Sequence, residues 1–98
     1  MIALASDHGG LSLKNAVKNY LESQGLEVRD FGTNSPESCD YPDFGAPAAR
    51  AVAEGTCERG ILICTTGIGM SMVANKIPGI RCALCHDLMS ARLTRQHN

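Results

Sequence analysis

The sequence lacks an excess of basic charge. Nine Lys and Arg face ten Asp and Glu, for a formal net charge of -1, which excludes the electrostatic footprint of a nucleic-acid or anionic-membrane partner. It also lacks any apolar stretch near the roughly 20 residues that cross a bilayer. The opening Met1-Ile2-Ala3-Leu4-Ala5 is too short for a signal-peptide core and has no basic leader, so a cytoplasmic protein is expected. There is no internal repeat and no low-complexity tract. Residues 1–98 therefore read as one domain, small enough to bury only a modest core and to favour self-association. The five cysteines are an odd number without an export signal, so reduced thiols rather than a disulfide framework are expected.

What is present is an alternation of strand and helix signals. Met1 to Ser6 is apolar almost throughout, as in a strand buried on both faces, and Asp7-His8-Gly9-Gly10 ends it. Leu13, Ala16, Val17, Tyr20 and Leu21 then fall at helical spacing, with Lys14, Asn15, Lys18, Asn19 and Glu22 on the other face. Gly25 is placed to stop that helix. Leu26 to Arg29 alternates as a sheet-edge strand with one wet face. The alanine-rich stretch from Phe44 to Glu54 predicts a second helix. Gly60-Ile61-Leu62-Ile63-Cys64 is the most apolar run and predicts the central strand. A short helix is expected through Met70 to Ala74, a fourth strand over Ile80 to Cys85, and a last helix capped by Asp87. Such alternation implies βαβ crossovers and a parallel α/β sheet covered on both sides. Ligands of such sheets bind beyond the carboxyl ends of the strands. Those ends carry Asp7-His8, Cys64-Thr65-Thr66-Gly67 and His86-Asp87, so the reactive residue types gather on one rim.

On that rim, Gly67-Ile68-Gly69-Met70-Ser71 joins a buried strand to a helix start, where backbone N–H groups and the helix dipole receive negative charge. A tight turn uses the same residues. The loop is no dinucleotide fingerprint, since Met72 stands where the third glycine would be. Cys64 at a helix N-terminus suits a base or nucleophile. On residue type alone, however, a small buried hydrophobe is the favoured reading of a free cysteine. Asp7-His8 is either a turn or an acid–base and phosphate-binding pair. Cys82-x-x-Cys85 does not suit a metal, because residues three apart on a strand point to opposite faces. Cys39 and Cys57 read as incidental, His86 as a helix-start residue, and Arg92 and Arg95 as a solvated face.

Ser6-Asp7-His8-Gly9-Gly10, Asp30-Phe31-Gly32-Thr33, Asp40-Tyr41-Pro42-Asp43, Gly60 to Cys64, Thr66 to Ser71, Ala74-Asn75-Lys76 and Arg95-Gln96-His97-Asn98 occur in this order along the chain. Together they resemble the ribose-5-phosphate isomerase B family from end to end. The resemblance implies a three-layer α/β/α fold with a parallel, Rossmann-like sheet in the order 2-1-3-5-4. It also implies interconversion of ribose 5-phosphate and ribulose 5-phosphate through an enediolate, with neither metal nor organic cofactor. Cys64 would take the proton from C2 and Thr66 would move a proton between O1 and O2. The N–H groups of Gly67, Ile68, Gly69, Met70 and Ser71 would hold the enediolate oxygen, and His97 would open the sugar ring. Asp7 would meet the sugar hydroxyls and His8 the phosphate, with Tyr41 and Asn98 at other site positions. The family assembles as dimers, and a homodimer or tetramer with shared sites is the implied state. A galactose-6-phosphate isomerase subunit is a less favoured alternative, because Cys64 and Asp7-His8 are present. A non-catalytic phosphosugar-binding module is another.

Two departures from the family stand out. Thr65 occupies a position where the family has glycine, which would strain the loop if that residue had a positive φ. The family also continues for about another third beyond the motif resembling Gln96-His97-Asn98, with the fifth strand, the last helix and the phosphate-clamping arginines. The resemblance thus implies a C-terminally truncated form, with unpaired backbone edges between the third and fourth strands.

Overall fold

A computed structural model describes residues 1–98. Strand β1 (Ile2–Ser6) leads through a single 3-10 turn at His8–Gly10 into α1 (Leu11–Ser23), followed by β2 (Val28–Asp30) and α2 (Tyr41–Ala53). Then come β3 (Arg59–Ile63), α3 (Ile68–Asn75) and α4 (Leu88–His97). The three strands form one parallel sheet in the order β2-β1-β3, an α/β fold whose order agrees with the first three positions of the expected sheet. No helix is long and apolar enough to cross a membrane.

β1 is the buried centre, which its unbroken apolar run requires. Ala3 and Ala5 face Ala48 and Ala51 of α2, with Cys57 beside them, and Phe31, Phe44, Val52 and Leu62 pack around this cluster. Alanine at these contacts lets α2 lie close on the sheet. Cys57 is accordingly a core residue rather than an incidental one. Pro42 sits in the first turn of α2, where a missing N–H costs nothing; the helix therefore starts at Tyr41, earlier than the alanine pattern alone predicts.

The predicted face of α1 needs correction. Lys14, assigned to the wet face, is completely buried, whereas Leu13 and Tyr20 are 57% and 64% exposed. The cause is a polar partner set that periodicity does not register. Lys14 Nζ donates to both Asp30 carboxylate oxygens at 2.8 and 2.7 Å and to Asn34 Oδ1 at 2.7 Å, so its charge enters the interior paired and hydrogen-bonded. The network ties α1 to the end of β2 and to the loop that follows, where Asp30 Oδ1 also accepts from the Gly32 N–H at 2.8 Å.

The fourth predicted strand is not formed. Residues 80–85 have no regular secondary structure, because a strand exists only as part of a ladder and β3 does not pair with them. Their main anchor is the Asn75 side chain, which accepts from Cys82 N–H at 2.8 Å and donates to Cys82 O at 2.7 Å. Between β3 and this segment lies a cleft of about 1240 Å³, bordered also by α3 and the last turns of α4. β3, the most apolar strand of the sequence, is thus an edge strand with Ile61 and Leu62 only half-buried. α4 buries no residue.

Burial pushes the Asp30 carboxyl up, but hydrogen bonds from Lys14 and the Gly32 N–H and the charges of Lys14 and Lys18 outweigh it and hold the group below its ordinary value of 3.8. A folded-state pKa below the unfolded one stabilises above pH 3.8 and is lost as pH falls through the folded value. The melting temperature of the wild type should therefore drop as the solution is acidified past that point. Asp30→Ala leaves the buried Lys14 charge without its carboxylate, with Asn34 Oδ1 as its remaining acceptor, and should cost about 3 kcal/mol at neutral pH by denaturant unfolding, with a weaker acid dependence.

Candidate active site

The carboxyl ends of β1 and β3 meet closely. Ser6 lies opposite Ile63, and Asp7 N–H donates to Ile63 O at 3.3 Å. Asp7 caps the turn after β1 by accepting the Gly10 N–H on Oδ1 at 3.1 Å. Glycine is required at position 10, since a methyl there would lie 2.7 Å from the Ile63 carbonyl oxygen. The next residues in each chain segment, Asp7-His8 and Cys64-Thr65-Thr66, are brought side by side on one rim.

Cys64 is half-buried, and its Sγ accepts the Gly67 N–H at 3.2 Å. The sulfur thus sits at a strand end and receives an N–H from the residue that precedes α3. Gly67 has φ 77° and turns the chain into α3. Ile68 N–H donates to Thr66 Oγ1 at 3.1 Å, Ser71 N–H to Gly67 O at 3.0 Å and Ser71 Oγ to Ile68 O at 2.8 Å. Three of the five expected donor groups, on Gly67, Ile68 and Ser71, are therefore engaged inside the loop. The N–H groups of Gly69 and Met70 have no partner in the chain and are the ones free for a ligand. The Tyr41 ring lies against this backbone, so close that a methyl on Gly69 would stand 2.7 Å from Cζ.

Thr65 is not strained, because no residue other than glycine has a positive φ; the left-handed position of the loop is Gly67. The Thr65 hydroxyl instead occupies the space beside Gly9 that a side chain there would need.

His8 is exposed, and its Nδ1 accepts the Cys39 N–H at 3.2 Å, with Cys39 Sγ 3.8 Å away. That bond gives the neutral ring its proton on Nε2. His86 does more than start a helix, since Nε2 bonds Thr66 O at 2.9 Å and ties the segment before α4 to the Cys64 loop. The capping role expected of Asp87 is present, with Oδ1 accepting Ser90 N–H at 2.7 Å. Asn98 and Arg95 border the same cleft as Cys64, Thr66 and Ser71. His97 does not join them: it lies exposed at the end of α4 without a side-chain hydrogen bond. Burial, then the neighbouring Cys85, push the Cys82 thiol up, and no group of three or more His, Cys, Asp or Glu side chains gathers as a metal site.

Comparison with known proteins gives this rim a relationship. Residues 2–98 match the family described as Ribose/Galactose Isomerase. The chain belongs to that family. It superposes on ribose-5-phosphate isomerase B of Clostridium thermocellum with a TM-score of 0.96 at 53% identity, over 98% of this chain and 65% of that one. It also superposes on ribose-5-phosphate isomerase B of Mycoplasma genitalium, solved with bound ribulose-5-phosphate, with a TM-score of 0.93 at 42% identity over 98% and 64% of the two chains. A curated relative, D-erythrulose-4-phosphate isomerase of Pectobacterium atrosepticum, is 45% identical over 99% of this chain and 64% of its own length. The chain thus spans about two thirds of the length of the relatives it matches.

The sequence reading missed three of these connections: the Thr65–Gly9 contact, the His86 bond to the loop, and the Cys39 amide on His8. Only the clustering of polar residues at strand ends hinted at them. Gly67→Ala places a Cβ at φ 77° and should destabilise the protein by about 1 kcal/mol, measurable by urea unfolding, whereas Gly55→Ala, in a turn after α2 with the same backbone handicap, should leave the Cys64 loop undisturbed in amide exchange.

Proposed function

We propose that the chain carries the carbonyl end of an aldose–ketose isomerase acting on short phosphorylated sugars, with ribose 5-phosphate and ribulose 5-phosphate as the favoured pair. The observation that carries this reading is the grouping of Cys64 Sγ, at the start of α3, with the free N–H groups of Gly69 and Met70. In the reaction, the Cys64 thiolate removes the C2 proton of the open-chain aldose, and the electron pair moves to give an enediolate. The Gly69 and Met70 amides hold the developing negative oxygen, the interaction that contributes most where charge appears in the transition state. Thr66 accepts the Ile68 N–H on its oxygen and so keeps its own proton free to move between O1 and O2. Return of the Cys64 proton to C1 completes the ketose. No cofactor enters this scheme.

Asp7 takes a sugar hydroxyl, His8 presents its Nε2 proton toward the phosphate, and Tyr41 backs the loop. His97, exposed and apart from Cys64, serves ring opening at the site of a second subunit, while Asn98 borders the same cleft as Cys64. The exposure of His97, outside the cleft that Cys64 borders, supports a self-associated form with shared sites. The ligand of the Mycoplasma structure favours a pentose phosphate, while the name of the Pectobacterium relative makes four-carbon sugars a worthwhile second substrate. The second reading is a phosphosugar-binding module without turnover.

Conversion of ribose 5-phosphate by wild type and Cys64→Ala separates these readings. Loss of about 100-fold or more in kcat on removing the thiol is expected of a proton-transfer base. An alanine variant that keeps most of the rate would show that Cys64 is not the base. A rise in melting temperature with ribose 5-phosphate, without turnover, would favour the binding module.

A further inference from the structure

Thr65 stands between the assigned base and the assigned proton carrier, yet the scheme above does not use it. Its side chain is exposed, and its hydroxyl makes no hydrogen bond within the chain although it lies directly against Gly9. The position that a Cβ on Gly9 would take is also 3.4 Å from Asp7 Oδ1, so the hydroxyl and the carboxylate border one small space. Oδ1 is engaged by the Gly10 N–H, while Oδ2 has no partner in the chain. The seam between the two rim loops thus presents an unoccupied carboxylate oxygen, an acceptor, beside an unoccupied hydroxyl, a donor.

We infer that Thr65 is a further substrate-contacting residue, paired with Asp7 in recognising two adjacent hydroxyls of the sugar, in space that the absence of a side chain at Gly9 leaves open. The inference rests on the isomerase reading. Asp7 Oδ2 accepts the proton of one sugar hydroxyl, and Thr65 Oγ1 donates to the oxygen of the next. A β-branched side chain has few χ1 choices, and contact with Gly9 restricts Thr65 further, so little freedom is lost when the sugar binds. The role is binding and not proton transfer, and its loss should appear in KM more than in kcat.

The test has a kinetic arm and a stability arm. Thr65→Val keeps the shape and removes the hydroxyl; it should raise KM for ribose 5-phosphate roughly two- to tenfold, the range of one hydrogen bond, while Thr65→Ser should stay close to wild type. A Thr65→Val variant with wild-type KM, from an active wild type, overturns the contact and leaves the isomerase reading standing. In the stability arm, Gly9→Ala should lower the melting temperature, and less when combined with Thr65→Gly, because the added methyl then has space. Equal losses in both backgrounds overturn the pairing of Thr65 with Gly9. A wild type that neither converts nor binds ribose 5-phosphate defeats the functional reading and the sugar contact together, and the melting temperatures still decide the seam.

Discussion

The parallel register between β1 and β3 sets Ser6 opposite Ile63, and the rest of the site follows from it. Beyond that pair, the two strands deliver Asp7 and Cys64 to neighbouring positions on the same rim. A slip of one residue would turn every β1 side chain to the other face. The alanines that receive α2 and the fully buried Leu4 would exchange places, so packing of the core and placement of the chemistry are one constraint. Gly10 reinforces it, because only a residue without a side chain lets the turn after β1 close down on Ile63.

The polar interior of the molecule supports this frame from the other side. Lys14 spans from α1 to Asp30 and Asn34, holding the outer strand and its loop against the helix. A buried ion pair adds little net stability compared with a well-packed apolar pair, but losing one partner is expensive. The network therefore ties α1 to β2 and the loop after it. The β3 side is held differently: residues 80–85 are suspended from Asn75 and, through His86, from Thr66, with the cleft between them and the strand.

Within the Cys64 loop, hydrogen bonds leave few amides free. A glycine-rich turn at a helix start offers several amides in principle, yet most are consumed in shaping the turn. The Gly67 amide goes to the Cys64 sulfur and the Ile68 amide to Thr66, which places both side chains relative to the two amides that stay free. The same bonds that build the turn thereby orient the groups assigned to proton transfer.

Much of this was legible in the residues themselves. The apolar run of β1, the helical spacings and the Asp87 cap lead to alternating strands and helices, and the gathering of Asp7, His8 and Cys64 at strand ends follows from the α/β arrangement. Family kinship is likewise carried by ordered motifs alone. Other features depend on contacts between residues distant in sequence. Periodicity assigns Lys14 to solvent because it scores polarity and not partners, and it predicts a strand at residues 80–85 because apolar alternation does not reveal whether a ladder exists. Which N–H groups remain free, and that Thr65 rests on Gly9, are decided by how two loops meet at the rim. Sequence by itself determined the elements and the residue types on offer; the tertiary structure decided which of them touch, because hydrogen-bond partners and close approaches are properties of three-dimensional placement.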